Sequence, residues 1–334
     1  MSDEPVRGEE SLIQEFLAPL AAGFPGAFGL QDDCAVIAPE PGHELVVKTD
    51  PIVAGVHFPL DTAPEDIAWR ALAVNVSDLA AKGATPVAYL MALALPEAPK
   101  RAWMQRFANG LEQAQSAFGC HLIGGDTDRT PGPLTVSITA FGSAPRGKMV
   151  RRGAARPGDQ LFVTGTLGDA ALGLALLTEP ELKQTLGLSD GDAARSIARF
   201  LRPAPRLGLA PLLRAHASAA MDLSDGLAKD CGRMCRASGA GARIEIDALP
   251  LSDPMRKAVH KDPGWLERAA THGDDYEVLL AVPPARAQAF AAAAGSLAFG
   301  VTRIGEITAG PGVTIERADG TAMHLGKPGW DHFA

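Results

Sequence analysis

Short apolar runs with strand character alternate with helical stretches twice along this chain. One aperiodic stretch rich in Gly, Pro, Lys and Arg, Gly142–Asp159, separates the two series. Such alternation restricts the fold to the α/β or α+β classes, because an all-helical or all-strand chain keeps one hydrophobic period throughout. The first series reads as a helix over Ser11–Ala22, strands at Cys34–Ala38 and Glu44–Lys48, and a long helix over Pro64–Gly83. A strand Val87–Leu95, a helix Lys100–Phe118 and strands His121–Ile123 and Leu134–Phe141 follow. Pro64 suits a first helical turn and Gly83 a C-terminal cap. The second series reads as a strand Gln160–Thr164, helices Leu167–Leu177, Ala193–Arg202 and Arg206–His216, and a strand Ala219–Met221 running into Asp222. Helix Leu227–Ser238, strands Ala242–Ile246 and Tyr276–Val282, helix Pro284–Ala294 and strand Val301–Ile307 complete it. At 334 residues the chain is long for one core, and two domains, 1–145 and 146–334, are predicted.

Composition narrows the function. Asp and Glu number 39 against 31 Lys and Arg, a net charge of −8, which argues against a general nucleic-acid binder. No apolar run approaches the roughly 18 residues of a membrane span, and Met1–Glu10 is acidic with no apolar signal core. The four cysteines, Cys34, Cys120, Cys231 and Cys235, are scattered as reduced thiols would be, and Cys231 and Cys235 read as packing residues of one helix. The expectation is a cytoplasmic enzyme or small-molecule binder with no membrane or nucleic-acid partner.

The chemistry gathers in aspartates. Asp50 closes Val46–Asp50, Asp126 and Asp128 follow Leu122–Gly125, and Asp222 and Asp225 follow Ala220–Met221, each where an apolar run stops. Asp32 and Asp33 precede a run. Ligands of open α/β sheets sit outside the carboxyl ends of strands. Each aspartate alone reads equally well as a turn or cap residue; several together favour a site. Asp78 lies inside an otherwise apolar helix, three residues after Asn75 on the same face; the two read either as the solvent face of that helix or as a site, since a carboxylate buried there needs a cation. Carboxylates beside Thr and Ser hydroxyls suit hard cations, Mg²⁺ above all, which arrives with phosphates. That combination points to phosphoryl transfer. Gly142–Met149 nearly matches a phosphate-binding P-loop but lacks the closing Ser or Thr and a following helix. Lys148, Arg151 and Arg152 read either as phosphate contacts or as a solvated linker. Gly273–Glu277 is an acidic turn before a strand, and Gly329–Phe333 an aromatic tail whose Trp330 suits stacking on a flat ring.

The ordered series Thr49-Asp50, Gly55-Val56-His57-Phe58, Ala73–Ala81, Gly124–Thr127, Asp222–Leu227, Gly273–Glu277 and Gly329–Phe333 resembles the thiamine-monophosphate kinase family, from about Gln31 to the C-terminus. The Asn-x-Ser-Asp and Asp-Leu-Ser-Asp-Gly blocks are shared with the wider aminoimidazole ribonucleotide synthetase-like superfamily. The resemblance implies transfer of the γ-phosphoryl of ATP to thiamine monophosphate, giving thiamine diphosphate, in line and with several Mg²⁺ ions. Carried over by position, it implies Asp32, Thr49, Asp50, Asp78, Asp126, Asp222 and Asp225 as metal ligands, with Asp50, Asp78, Asp126 and Asp222 serving catalysis. It implies Gly125, Asp126, Arg152 and Ser224 as ATP contacts, and His57, Asp274 and Trp330 as substrate contacts. The implied fold is the two-domain one of the superfamily, an α/β N-terminal domain whose sheet pairs across a homodimer and an α+β C-terminal domain completing the substrate site. Three positions depart from the family pattern: Gln31 for Gly, Lys48 for Ser and Asp274 for the commoner Glu. Lys48 removes a hydroxyl ligand and supplies an ammonium, so the Mg²⁺ number stays open. The alternatives are a sister ATP-dependent enzyme of the superfamily and a non-catalytic nucleotide-binding protein.

Overall fold

The computed structural model describes residues 4–330; Asp331, His332 and Phe333 of the aromatic tail lie outside them. The chain divides into two compact units. One comprises the residues up to Leu79 with Ala84–Gly147, the other Ala80–Gly83 with the chain from Lys148 onward.

In the first unit, strands β1 (His43–Val53), β2 (Thr85–Leu95), β3 (His121–Arg129) and β4 (Thr135–Pro145) form a sheet in the order β1-β4-β2-β3. Only β2 and β3 run parallel. Helices α2 (Pro64–Ala81) and α3 (Arg101–Phe118) accompany it. They approach closely at Gly110, where a Cβ would sit 2.4 Å from the Glu65 carbonyl oxygen. The N-terminal helix begins as α1 (Glu9–Leu12), widens to a π turn over Ile13–Leu17 and tightens to 3₁₀ over Ala18–Ala21. Ala21 and Ala27 pack against Ala88 and Ile123 of the sheet.

The strands here run longer than the apolar periodicity indicates. β1 continues through Lys48-Thr49-Asp50 to Val53, and β3 through Gly124-Gly125-Asp126 to Arg129. Asp50 and Asp126 therefore lie within strands rather than after them; only Asp222 ends one. Cross-strand pairing overrides the poor β propensity of Gly and Asp. Cys34–Ala38 is no strand: its backbone bond runs from Val36 N–H to the Gly26 carbonyl at 2.9 Å, beside a loop and not a sheet. The P-loop look-alike is half strand, since β4 extends to Pro145.

The second unit holds a mixed six-stranded sheet in the order β10-β7-β9-β5-β8-β6. Its strands are β5 (Gln160–Thr164), β6 (Ala219–Asp222), β7 (Gly241–Glu245), β8 (Val278–Val282), β9 (Val301–Thr308) and β10 (Gly312–Glu316). The helices are α4 (Asp169–Thr178), α5 (Leu182–Thr185), α6 (Asp190–Leu201), α7 (Ala210–His216), α8 (Leu227–Ser238), α9 (Asp253–Lys261), α10 (Gly264–Thr271) and α11 (Pro284–Ala294). The period of two along a strand sorts the core into layers. Leu161 and Val163 of β5, with Leu279 and Ala281 of β8, face α8 and its Cys231, Met234 and Cys235. Phe162, Leu280 and Val282 point the other way, to Leu213 of α7 and Phe290 of α11. Both faces of these strands are buried, so they read as unbroken apolar runs. Cys231 and Cys235 are free, buried thiols of that core.

Candidate active site

Beside the sheet of the first unit lies a cavity of about 690 Å³. Its walls include Ile13, Leu17, Ile37, Leu90, Leu122 and Phe141, and its polar lining Glu9, Gln31, Asp32, Asp33, Gly124, Gly125, Asp126 and Thr127. Three predicted site residues, Asp32, Gly125 and Asp126, thus share one chamber. Gly125 is required there by close approach: a Cβ would stand 1.8 Å from the Met91 carbonyl oxygen of β2. Asp126 is exposed, and its Oδ1 accepts the Thr127 N–H at 3.0 Å. Asp32 takes the Cys34 N–H in the same way at 3.3 Å.

Strand phase divides Thr49 from Asp50. Lys48 and Asp50, two apart, lie on the face of β1 that meets Asp78 of α2. Lys48 Nζ stands 2.9 Å from Asp50 Oδ2 and 2.8 Å from Asp78 Oδ2. Thr49 projects from the opposite face, paired with Thr139, whose hydroxyl is 3.0 Å away. That face also carries Phe141, a wall of the cavity. Asn75 braces the arrangement. Its Oδ1 accepts the Asp50 N–H at 2.8 Å, and its Nδ2 donates to the carbonyls of Asp50 at 3.2 Å and Ala71 at 3.1 Å. Burial alone would lower the Lys48 pKa, but the adjoining Asp78 and Asp50 carboxylates outweigh it and hold the ammonium above its ordinary value. Burial raises Asp50, and Lys48 only partly offsets that. His57 sits in the turn after β1, where its Nδ1 accepts the Val53 N–H at 3.0 Å, leaving the proton of a neutral ring on Nε2.

In the second unit the loop Leu223–Gly226, between β6 and α8, is tied down on every side. Leu223 N–H donates to the Glu277 carbonyl at 2.8 Å, and Tyr276 N–H to the Leu223 carbonyl at 2.9 Å. Asp274 N–H reaches the Ser224 carbonyl at 2.9 Å, and Trp330 N–H the Asp225 carbonyl at 3.0 Å. The structure therefore brings Asp222, Ser224, Asp225, Asp274 and Trp330 together. Asp274 and Tyr276 hold φ of 72° and 49°, strained values for non-glycine residues that the surrounding bonds enforce. Trp330 is 53 % exposed. Arg152 is exposed in the segment entering this unit; the adjacent Arg151 carbonyl accepts the Ala220 N–H of β6 at 3.2 Å.

One residue that holds this loop escaped the sequence reading. Asp230, fully buried in α8, accepts the N–H groups of Ser224 at 3.0 Å and Asp225 at 2.9 Å through one oxygen. Its other oxygen takes Arg233 at 2.7 Å. Burial pushes its pKa up to about 6 despite these partners. An acid in a first helical turn looks like an ordinary response to the helix dipole, so the sequence alone did not single it out.

Mg²⁺ was implied for these carboxylates, and the residues answer it unevenly. Asp32 and Asp126 show no cation partner among the described residues, and both line the cavity, which suits an ion that arrives bound to phosphate. Asp50 and Asp78 do not fit, since the Lys48 ammonium stands between them. Asp225 is paired with Arg233 at 2.5 Å. Among the described residues no three His, Cys, Asp or Glu side chains converge as a preformed metal site. No helix among them is long and apolar enough to cross a membrane.

Comparison with known proteins places this architecture. The AIR synthase related protein family matches in both halves, its N-terminal domain over residues 31–144 and its C-terminal domain over 156–317. The thiamine-monophosphate kinase of Caulobacter vibrioides is 41% identical over 96% of this chain and 89% of its own length. The chain belongs to the thiamine-monophosphate kinase family. Within that family, the crystal structure of the Stenotrophomonas maltophilia enzyme is 40% identical and superposes with a TM-score of 0.79, covering 88% of this chain and 91% of its own. A second structure, AaThiL complexed with AMPPCP and TMP, is 32% identical with a TM-score of 0.77, over 98% of this chain and 97% of its own.

Proposed function

We propose that this protein transfers the γ-phosphoryl group of ATP to thiamine monophosphate, releasing thiamine diphosphate and ADP. The observation that carries the reading is the cavity of the first unit, where apolar walls meet Asp32, Gly125 and Asp126. The apolar walls suit a nucleotide base, and the carboxylates that line the same pocket suit cation-bound phosphates. That a family member was solved with AMPPCP and TMP supports both substrates.

The chain's own residues take these parts. Gly125 leaves the backbone bare beside the phosphates. Asp32 and Asp126 are the cation-holding carboxylates of the first unit, and bound Mg²⁺ supplies neutralisation of phosphate charge. In the second unit Asp222 adds a carboxylate at the end of β6, and Ser224 and Arg152 supply donors to ATP. His57 offers Nε2–H to the acceptor phosphate. Asp274 and Trp330 receive the thiamine, its flat ring stacking on the exposed indole. The attacking atom is a phosphate oxygen that is already anionic, so no strong base is needed. In-line geometry and charge screening are the main tasks. We also infer a homodimer through the sheet of the first unit, supported by β1, an edge strand whose Val47 is 58 % exposed.

The test is product detection by mass spectrometry with ATP and Mg²⁺, offering thiamine monophosphate, free thiamine or formylglycinamidine ribonucleotide. Thiamine diphosphate and ADP, formed only from the monophosphate, are expected. ADP formed with the ribonucleotide alone would move the protein to a sister reaction of the superfamily. ATP binding without turnover on any acceptor would leave a nucleotide-binding protein.

A further inference from the structure

We infer that Lys48 is a built-in cation, and that the Asp50–Asp78 pair takes up no divalent metal ion in this protein when no substrate is bound. The ammonium contacts Oδ2 of both carboxylates, at 2.9 and 2.8 Å. A Mg²⁺ ion binds carboxylate oxygens at about 2.0–2.1 Å and demands near-octahedral oxygen coordination. To bridge the same two oxygens it would have to expel Nζ.

Two neighbouring side-chain oxygens that could join such a shell are turned elsewhere. The Asn75 amide oxygen already accepts the Asp50 N–H. Thr49 stands on the opposite face of β1. Nor is the ammonium a passing visitor. Lys48 and Asp50 alternate with Thr49 along the strand, so any register that aims Asp50 at α2 aims Lys48 there too. Asn75 fixes that register by holding both backbone groups of Asp50. The pair therefore carries a positive charge that cannot dissociate, whatever the concentration of free divalent ions. This concerns the cations of the protein without substrate and does not rest on the identity of the phosphoryl acceptor.

Mn²⁺ titration of the full chain without nucleotide, with free Mn²⁺ read by electron paramagnetic resonance, tests it. Asp78→Asn, nearly isosteric, is expected to bind as many Mn²⁺ ions as the native chain. Lys48→Ser is expected to bind one more per chain and to gain thermal stability from Mn²⁺ where the native chain gains none at this site. Lys48→Ser combined with Asp78→Asn should lose the gained ion. Loss of an ion in Asp78→Asn with Lys48 in place would overturn the proposal, because the pair would then already hold metal. So would a folded Lys48→Ser protein that gains no ion, because Lys48 would then be keeping no cation out.

Discussion

Asn75 does for β1 what a neighbouring strand would do. It occupies the N–H and the carbonyl of Asp50 at an edge that β4 does not reach, and anchors itself on Ala71 one turn back. Asn75→Ala strands two backbone groups, and a loss of about 2–4 kcal/mol in denaturant unfolding is expected; a loss within error would mean that water replaces the amide. Asp126 is the opposite case. It is exposed and packs nothing, so Asp126→Asn should leave the melting temperature unchanged and cut turnover by roughly 10²–10³-fold, read as thiamine diphosphate formed per enzyme. Near-normal turnover in the folded variant would remove Asp126 from the chemistry. At this scale the aspartates were legible because a carboxylate among apolar neighbours has few cheap explanations. Their partners were not. Lys48 was visible only as a departure from a pattern, since its bridge to Asp78 joins residues thirty positions apart. Thr49 was read beside Asp50, and one step of strand phase sets them on opposite faces.

Between elements, the first unit turns on the contact of β3 with β2. Gly124 and Gly125 were read as ending a strand, because Gly is a poor strand former. Pairing decides otherwise: Gly125 sits opposite Met91, and only a bare Cα lets the two backbones pass. Gly125→Ala must push β3 away from β2 or bend it, at an expected cost of about 1–3 kcal/mol, and it deforms the cavity lined by Gly124, Asp126 and Leu90. Thermal unfolding with and without a non-hydrolysable ATP analogue checks both effects: the variant should melt earlier and gain less from the analogue. Equal gain would place the nucleotide elsewhere. Periodicity located α2, α3, α8 and α11 well, since amphipathic or capped helices carry local signals. It missed α9 and α10, which are short, and it mistook Cys34–Ala38, an apolar loop at the cavity, for a strand. Apolar character there serves the cavity wall and not a sheet.

Across the whole molecule, alternation of helix and strand disclosed the fold class. Strand order did not follow from it, because β10-β7-β9-β5-β8-β6 depends on pairings between residues far apart in sequence. The acidic balance also hid where the acids are. Several lie inside the second unit, and two titrate there in a range that pH can reach. Asp275 is buried against the start of α4, accepting the Gly168 N–H at 2.8 Å and the Ala170 N–H at 3.3 Å. Burial nevertheless pushes its pKa up to about 8, from 3.8 in the unfolded chain. Between those values the folded protein holds a proton that the unfolded chain has released. Stability from this group is therefore full below about pH 4, falls as pH rises, by up to about 1.4 kcal/mol per unit, and levels off above about pH 8. Asp230, raised to about 6, acts with the same sign over a narrower window. Asp275→Asn cannot ionise. It keeps one acceptor of two, so it should be less stable by an offset that does not vary with pH. Its melting temperature should still fall between about pH 4 and 6 through Asp230, but the further fall between about pH 6 and 8 expected of the native protein should vanish. Melting curves of the two proteins that stay parallel across that upper window would show that Asp275 is ionised in the fold and that its two N–H partners outweigh burial.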